Sequence, residues 1–170
     1  MQANEVLIEA FGRVQEQVHG VVAGIDDAWL TRTLVEGVNP IGWLIWHIAR
    51  GQDLQVAMLV DGEQEWVTGN WAPRFGLAPD PWNMGYGHTP EQVAAVQPES
   101  AQVLLDYYDA VWARTQTVLD GVTSADLDRI VDENWDPPVT MGVRLVSIVD
   151  DDVQHAGQAW YLRGLFERSP

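Results

Sequence analysis

The chain has no cysteine, which excludes disulfides, cysteine-bearing zinc knuckles and a thiol nucleophile of the protein's own. Any thiol chemistry must draw its thiol from outside. Positive charge is scarce: 9 Lys and Arg face 25 Asp and Glu, for a formal charge of −16. A field of that sign repels phosphate backbones, and no basic stripe reverses it locally, so nucleic acid is not an expected partner. No apolar run reaches the ~20 residues of a membrane span, because charges or Gly/Pro interrupt every candidate. The opening stretch, MQANEVLIEA, carries no basic segment ahead of an apolar block, so no secretory signal is expected. Internal repeats, low-complexity tracts and convincing alternating strands are missing too. The expectation is a soluble, cytoplasmic protein with no membrane partner.

What is present fits one domain. The 170 residues are 46% apolar, enough for a core without covalent staples and against disorder. Residues 1–170 read as a single unit. The 9 tryptophans are many for this size; Trp66, Trp71, Trp82 and Trp135 lie in polar or loop-like stretches, where core demand is weakest.

Helical periodicity dominates. Residues 4 to about 25 carry Leu7, Phe11, Val14, Val18, Val21 and Ile25 at helical spacing, with His19 on the polar side and expected in solvent. A second helix opens at Asn39 as cap with Pro40 in the first turn, and runs to Val60, where Asp61–Gly62 ends it. A linker over 62–89, rich in Gly, Pro and Trp, follows; connections of this length are functional or mobile. Thr89–Pro90 opens a short helix that Pro98 interrupts. A third long helix covers 99–119, Ser124 caps a brief turn, and a loop with Pro137–Pro138 leads to a fourth long helix over about 140–166. The fold class is all-α: an antiparallel four-helix bundle with a long crossover between helices two and three.

Two segments carry chemistry. In VDDDVQHAGQAWYL, Asp151 and His155 are four residues apart and share a helical face with Ile148, Ala159 and Leu162. A carboxylate on such a stripe is costly unless it is paired or holds a metal. The plain alternatives are an Asp–His pair within one helix, or a solvated face, since Asp150 and Asp152 flank it. In WLIWHIARGQ, His47 shares a stripe with Trp43, Leu44, Gly51 and Leu54, where a hydrogen-bonded core histidine is the plain alternative. Taken together, two helices of one bundle each offer metal-competent groups at inward positions. Two imidazoles and one carboxylate leave a divalent ion with open positions, the catalytic rather than the structural pattern. His88, in GYGHTP, reads as a loop histidine, with a fourth ligand as the other reading.

NPIGWLIWHIARGQD and DDDVQHAGQAWYLRGL resemble the DinB-like superfamily, over most of the chain. That superfamily includes mycothiol-dependent maleylpyruvate isomerase and the mycothiol and bacillithiol S-transferases. The resemblance implies a divalent metal on His47, Asp151 and His155, with zinc first and nickel, iron or manganese as alternatives. Asp151 departs from the His or Glu usual at that position, which bears on metal identity. The implied activity is a metal-dependent transferase that presents a low-molecular-weight thiol as a metal-bound thiolate to a small electrophile. Mycothiol would be the thiol if the chain is actinobacterial, as its acidity and its style of sequence suggest. Alternatives on the same site are a metal-dependent hydrolase, a thiol-dependent isomerase, and a non-catalytic metal- or ligand-binding stress protein. A homodimer is a further implied assembly.

Three arginines are candidates to bind an anionic part of substrate or cosubstrate. They are Arg50, one turn past His47, Arg74 in NWAPRFG, and Arg144 near the start of helix four. A helix-surface ion pair is the other reading of Arg50. Trp43, Trp46, Trp71 and Tyr86 are candidate pocket-lining aromatics, with core packing as the alternative.

Overall fold

The computed structural model describes residues 2–35 and 37–168. Its elements are α1 (Ala3–Val22), α2 (Ile41–Leu59), α3 (Glu65–Thr68), α4 (Pro90–Ala94), α5 (Ala101–Asp120), β1 (Ile130–Asp132), β2 (Val139–Thr140) and α6 (Met141–Arg168). Short 3-10 turns occupy Asp27–Trp29, Ala72–Phe75 and Asp126–Asp128. The long helices α1, α2, α5 and α6 form the bundle, so the fold is all-α as the periodicity implies. α1 packs on α5 and α6, and α2 packs on the same two, so α1 and α2 face each other across the core. No helix among the described residues is long and apolar enough to cross a membrane.

The local chemistry explains the helix starts. The Ser100 hydroxyl accepts from the Val103 N–H at the head of α5, Thr89 accepts from the Gln92 N–H with Pro90 next in line, and Thr140 accepts from the Val143 N–H below α6. The expected cap of α2 moves by one residue. Pro40 itself stands at the cap position, extended at φ −72° and ψ 162°, and Ile41 is first in the helix. The ring tolerates that φ, and the cap needs no N–H of its own. In the brief turn near residue 124, Thr123 rather than Ser124 exchanges hydrogen bonds with Asp126.

Two expectations are corrected. β1 and β2 pair antiparallel, Ile130 against Thr140 and Asp132 against Val139; strands this short show no alternation to read. His19 is not simply solvated: its Nε2 lies 2.7 Å from Asp109 Oδ1 and ties α1 to α5.

On α1, Phe11, Val14, Val18 and Val21 are fully buried at three- and four-residue spacing. α2 differs in kind, because every residue from 41 to 54 is buried. A helix closed on all sides is the centre of its bundle. It nevertheless contains His47, Arg50, Gln52 and Asp53, all buried, and buried polar groups require partners. Gln52 donates to Thr115 Oγ1 on α5 at 2.8 Å. The other three face the 62–89 connection and the site.

Candidate metal centre

His47 of α2 and the Asp151–His155 pair of α6 meet at the contact between those helices. His47 Nε2 lies 3.5 Å from Asp151 Oδ2, and His155 Nε2 lies 3.6 Å from Asp151 Oδ1. One ligand atom from each of the three falls within 4.8 Å of the others, and no other such group of His, Asp and Glu occurs among the described residues. The imidazole rings stand edge to face, 4.7 Å apart between centroids. Burial is graded: the His47 side chain is 7% exposed, His155 19% and Asp151 47%. The site is closed toward α2 and open on the Asp151 side.

The outer nitrogens fix the orientation. His47 Nδ1 is held by the Met84 carbonyl, and His155 Nδ1 lies 3.0 Å from Gln158 Oε1. A carbonyl oxygen only accepts, so both Nδ1 atoms carry a proton, and in the neutral rings both Nε2 lone pairs point at Asp151. Neutral rings aimed at a carboxylate need a shared cation, metal ion or proton, to hold them there. The 3.5–3.6 Å separations are long for hydrogen bonds. They suit donors sharing one cation, since two donors each about 2.0–2.2 Å from a metal at tetrahedral to trigonal angles sit about 3.3–3.8 Å apart. The residues therefore fit a divalent ion.

Without metal, a proton takes that place. The Asp151 carboxylate pulls the His155 imidazole above its ordinary value, outweighing burial. His155, and after it His47, hold the Asp151 carboxyl well below the usual carboxylate range. In metal-free protein His155 is therefore expected to titrate above about 6.5. Its stabilising contribution is full below that unfolded value and is lost as pH rises through the higher folded one. A proton-NMR titration of metal-free protein checks the shift, and a normal or lowered His155 value would contradict it. Metal competes for the same Nε2, so metal affinity must weaken as pH falls through the same value.

The three adjacent aspartates point three ways. Asp150 is exposed, Asp151 faces α2, and Asp152 is buried in the core. The solvated-face reading thus fails for Asp152. Burial raises its carboxyl well above the usual range.

Trp43 belongs to the site: its ring stacks on His47 at 4.7 Å and meets His155 edge-on at 6.2 Å. His88 is outside the ligand group. Its Nδ1 accepts from Trp43 Nε1 at 3.2 Å and its Nε2 faces Asn83 Oδ1 at 2.7 Å, which leaves no free lone pair, and it stacks on Trp46. Trp46 and Trp66 are fully packed in the core, the second against the loop expectation. Trp71 packs on Tyr107, while Trp82 and Trp135 are exposed.

All three arginine candidates have partners within the chain. Arg50 is fully buried and is neither a surface ion pair nor a free anion hook. It donates to the carbonyls of Asn83 and Pro81, to Gln64 Oε1, to Tyr107 Oη and to Asp53. Those contacts use all five of its N–H groups. Arg74 is paired with Glu99 at 3.0 Å and Asp106 at 3.9 Å. Arg144 is held by Asp132 at 2.8 Å and Gln55 at 3.2 Å, two helical turns from Asp151. Tyr86 is 88% exposed and lines an open cleft of about 330 Å³ with Trp82, Asn83 and His88.

Sequence reasoning missed the parts that aim the ligands. Gln158 was detectable, as a polar residue three positions after His155 on the same face. The Met84 carbonyl had no side-chain signal. Gly85 had a faint one in GYG: its φ is +96°, and a Cβ there would stand 2.9 Å from Trp43 and 3.0 Å from His47 Nδ1. Only glycine lets the backbone come this close to the imidazole.

A family model described as the DinB superfamily matches residues 10–159, which include all three candidate ligands. A crystal structure described as the conserved protein of a locus from Enterococcus faecalis superimposes with a TM-score of 0.88 and 36% identity, covering 96% of both chains. No protein with a curated description matches.

Proposed function

The chain belongs to the DinB superfamily, and from that premise we propose that His47, Asp151 and His155 hold a divalent cation, zinc before nickel, iron or manganese, for transfer of a low-molecular-weight thiol to a small electrophile. The observation that carries this reading is the pair of Nε2 lone pairs turned onto one carboxylate by acceptors at both Nδ1 atoms. Two neutral imidazoles and one carboxylate leave a bound 2+ ion with a net charge near +1, which suits one further anion. Such an ion, when bound, lowers the pKa of a thiol and favours the thiolate.

The chain's own residues supply the rest. It has no cysteine, so the sulfur comes from the cosubstrate. His47 and Trp43 close the inner side, and the half-exposed Asp151 marks the open approach. In the transfer, the thiol proton leaves to solvent and sulfur bonds to the electrophilic carbon; a substituted carbon expels its leaving group with the electron pair, whereas an activated alkene expels nothing, its π bond opening and its neighbouring carbon taking a proton from water. Mycothiol is the first thiol to test.

Protein purified without a histidine tag and loaded with zinc is expected to retain about one ion per chain and to conjugate mycothiol to 1-chloro-2,4-dinitrobenzene faster than zinc alone. Elemental analysis and absorbance of the conjugate read the two outcomes. Failure to retain zinc overturns the site. Retained zinc with ester or amide cleavage that needs no thiol replaces the transfer with hydrolysis.

A further inference from the structure

Beside the centre, a groove of about 700 Å³ runs between the C-terminal half of α6 and residues 34, 35 and 37–39, a size suited to a small molecule. Val38, Leu44, Leu162 and Leu165 line it, and none of its described lining residues is charged. That stands out on a chain of net charge −16. Three large apolar side chains left in water border this one groove: Leu34 is 39% exposed, Val35 62% and Tyr161 66%. Apolar surface gathered this way marks a binding site more than chance exposure does.

The groove touches the centre through one residue. Gln158 lines it and also accepts the Nδ1 proton of His155. Leu44, on the opposite wall, is the chain neighbour of Trp43, which stacks on His47. An apolar group entering this lining exchanges water for apolar contact. We propose that the groove binds the apolar body, alkyl or aryl, of a substrate. On the thiol-transfer reading, on which this assignment of role rests, that substrate is the electrophile.

The test uses the full chain, a neutral fluorescent probe (N-phenyl-1-naphthylamine) and straight-chain 2-alkenals, which are electrophiles of graded length. The chain contains neither cysteine nor lysine to consume the aldehyde. The probe is expected to bind saturably at one site, and each added methylene to improve its displacement by up to about fourfold. Gly157→Leu fills the groove from its rim: no atom lies within 4 Å of a Cβ at that position, and leucine is the better helix former. It is expected to weaken probe and long alkenals at least tenfold with metal content unchanged, and Tyr161→Asp, at an exposed rim position, to act likewise. In the transfer assay Gly157→Leu raises KM for 2-nonenal while a short alkenal keeps its KM.

Wild-type binding of the probe by both variants overturns the proposal, as does displacement that ignores chain length. Exclusion of the probe because a second copy covers the groove, seen as binding only at concentrations where the chain is monomeric, overturns it too. Chain-length-dependent binding with no conjugation of any thiol supports the groove and removes the transferase reading. Conjugation indifferent to chain length and to Gly157→Leu does the reverse.

Discussion

Alanine at His155 is expected to lower zinc affinity by more than about 100-fold, and to do so in a protein that still folds. Removing a group that merely orients a ligand costs about 10–100-fold, and His155 is proposed as a ligand itself. Its loss leaves His47 and Asp151, too few donors to hold an ion tightly. The fold should survive because the side chain is at the edge of the helix contact, 19% exposed, and alanine favours helix. Gln158→Leu gives the internal comparison: it removes only the acceptor on His155 Nδ1 and is expected to fall in the smaller, 10–100-fold range. Competition against a chromophoric chelator reads both affinities, and far-UV circular dichroism reports the fold. Equal zinc affinity in wild type and His155→Ala would mean that the three side chains hold no metal, and the thiol chemistry would lose its basis.

Arg50→Met is expected to destabilise the fold by about 3–5 kcal/mol, the usual cost of leaving one partner of a buried ion pair behind. Arg50 and Asp53 both have fully buried side chains. Asp53 also accepts from Tyr107 Oη and from the backbone N–H groups of Glu65 and Trp66. Without the guanidinium its charge stays buried and its main countercharge is gone. Domains are stable by about 5–15 kcal/mol, so one substitution removes a large share. Lysine is not a remedy, because three donors on a point charge cannot reach five acceptors fixed around a planar fork. Urea denaturation measures the loss, and a change below about 1 kcal/mol would refute the role. A second readout should move with it. Arg50 holds the Pro81 and Asn83 carbonyls, next to the Met84 carbonyl that aims His47. Freed, that segment is expected to cost metal affinity about 10–100-fold. Arg50 is thus a positioning residue, one step removed from the substrate contact its place beside His47 first implied.

These cases show how far residue patterns reach. Asp151 and His155 are legible because four residues along a helix always share a face, wherever the helix packs. Gln158 could have been read by the same rule. Asp152 could not. Successive helical residues differ by about 100° in direction, so one of three adjacent aspartates must turn from the other two, but which one is buried depends on where α1, α2 and α5 sit around α6. Arg50 failed for a related reason. A charged side chain on a helix reads as exposed unless its partners are visible, and its partners come from residues 53, 64, 81, 83 and 107, spread over several elements. The all-round burial of α2 hides the amphipathic signal that placed α1 and α5.

The sequence by itself determined the local physics: which segments coil into helices, where caps and prolines start them, and which chemical groups each helix carries on a face. Those depend on neighbours within about four positions, whose geometry the backbone sets. Only the tertiary structure decided that α1 stands across the core from α2, that His47 meets the α6 pair, and that the chain from Pro81 to Gly85 folds down to aim an imidazole. Such facts depend on groups that are distant in the chain and become neighbours only when burial of apolar surface brings the helices together.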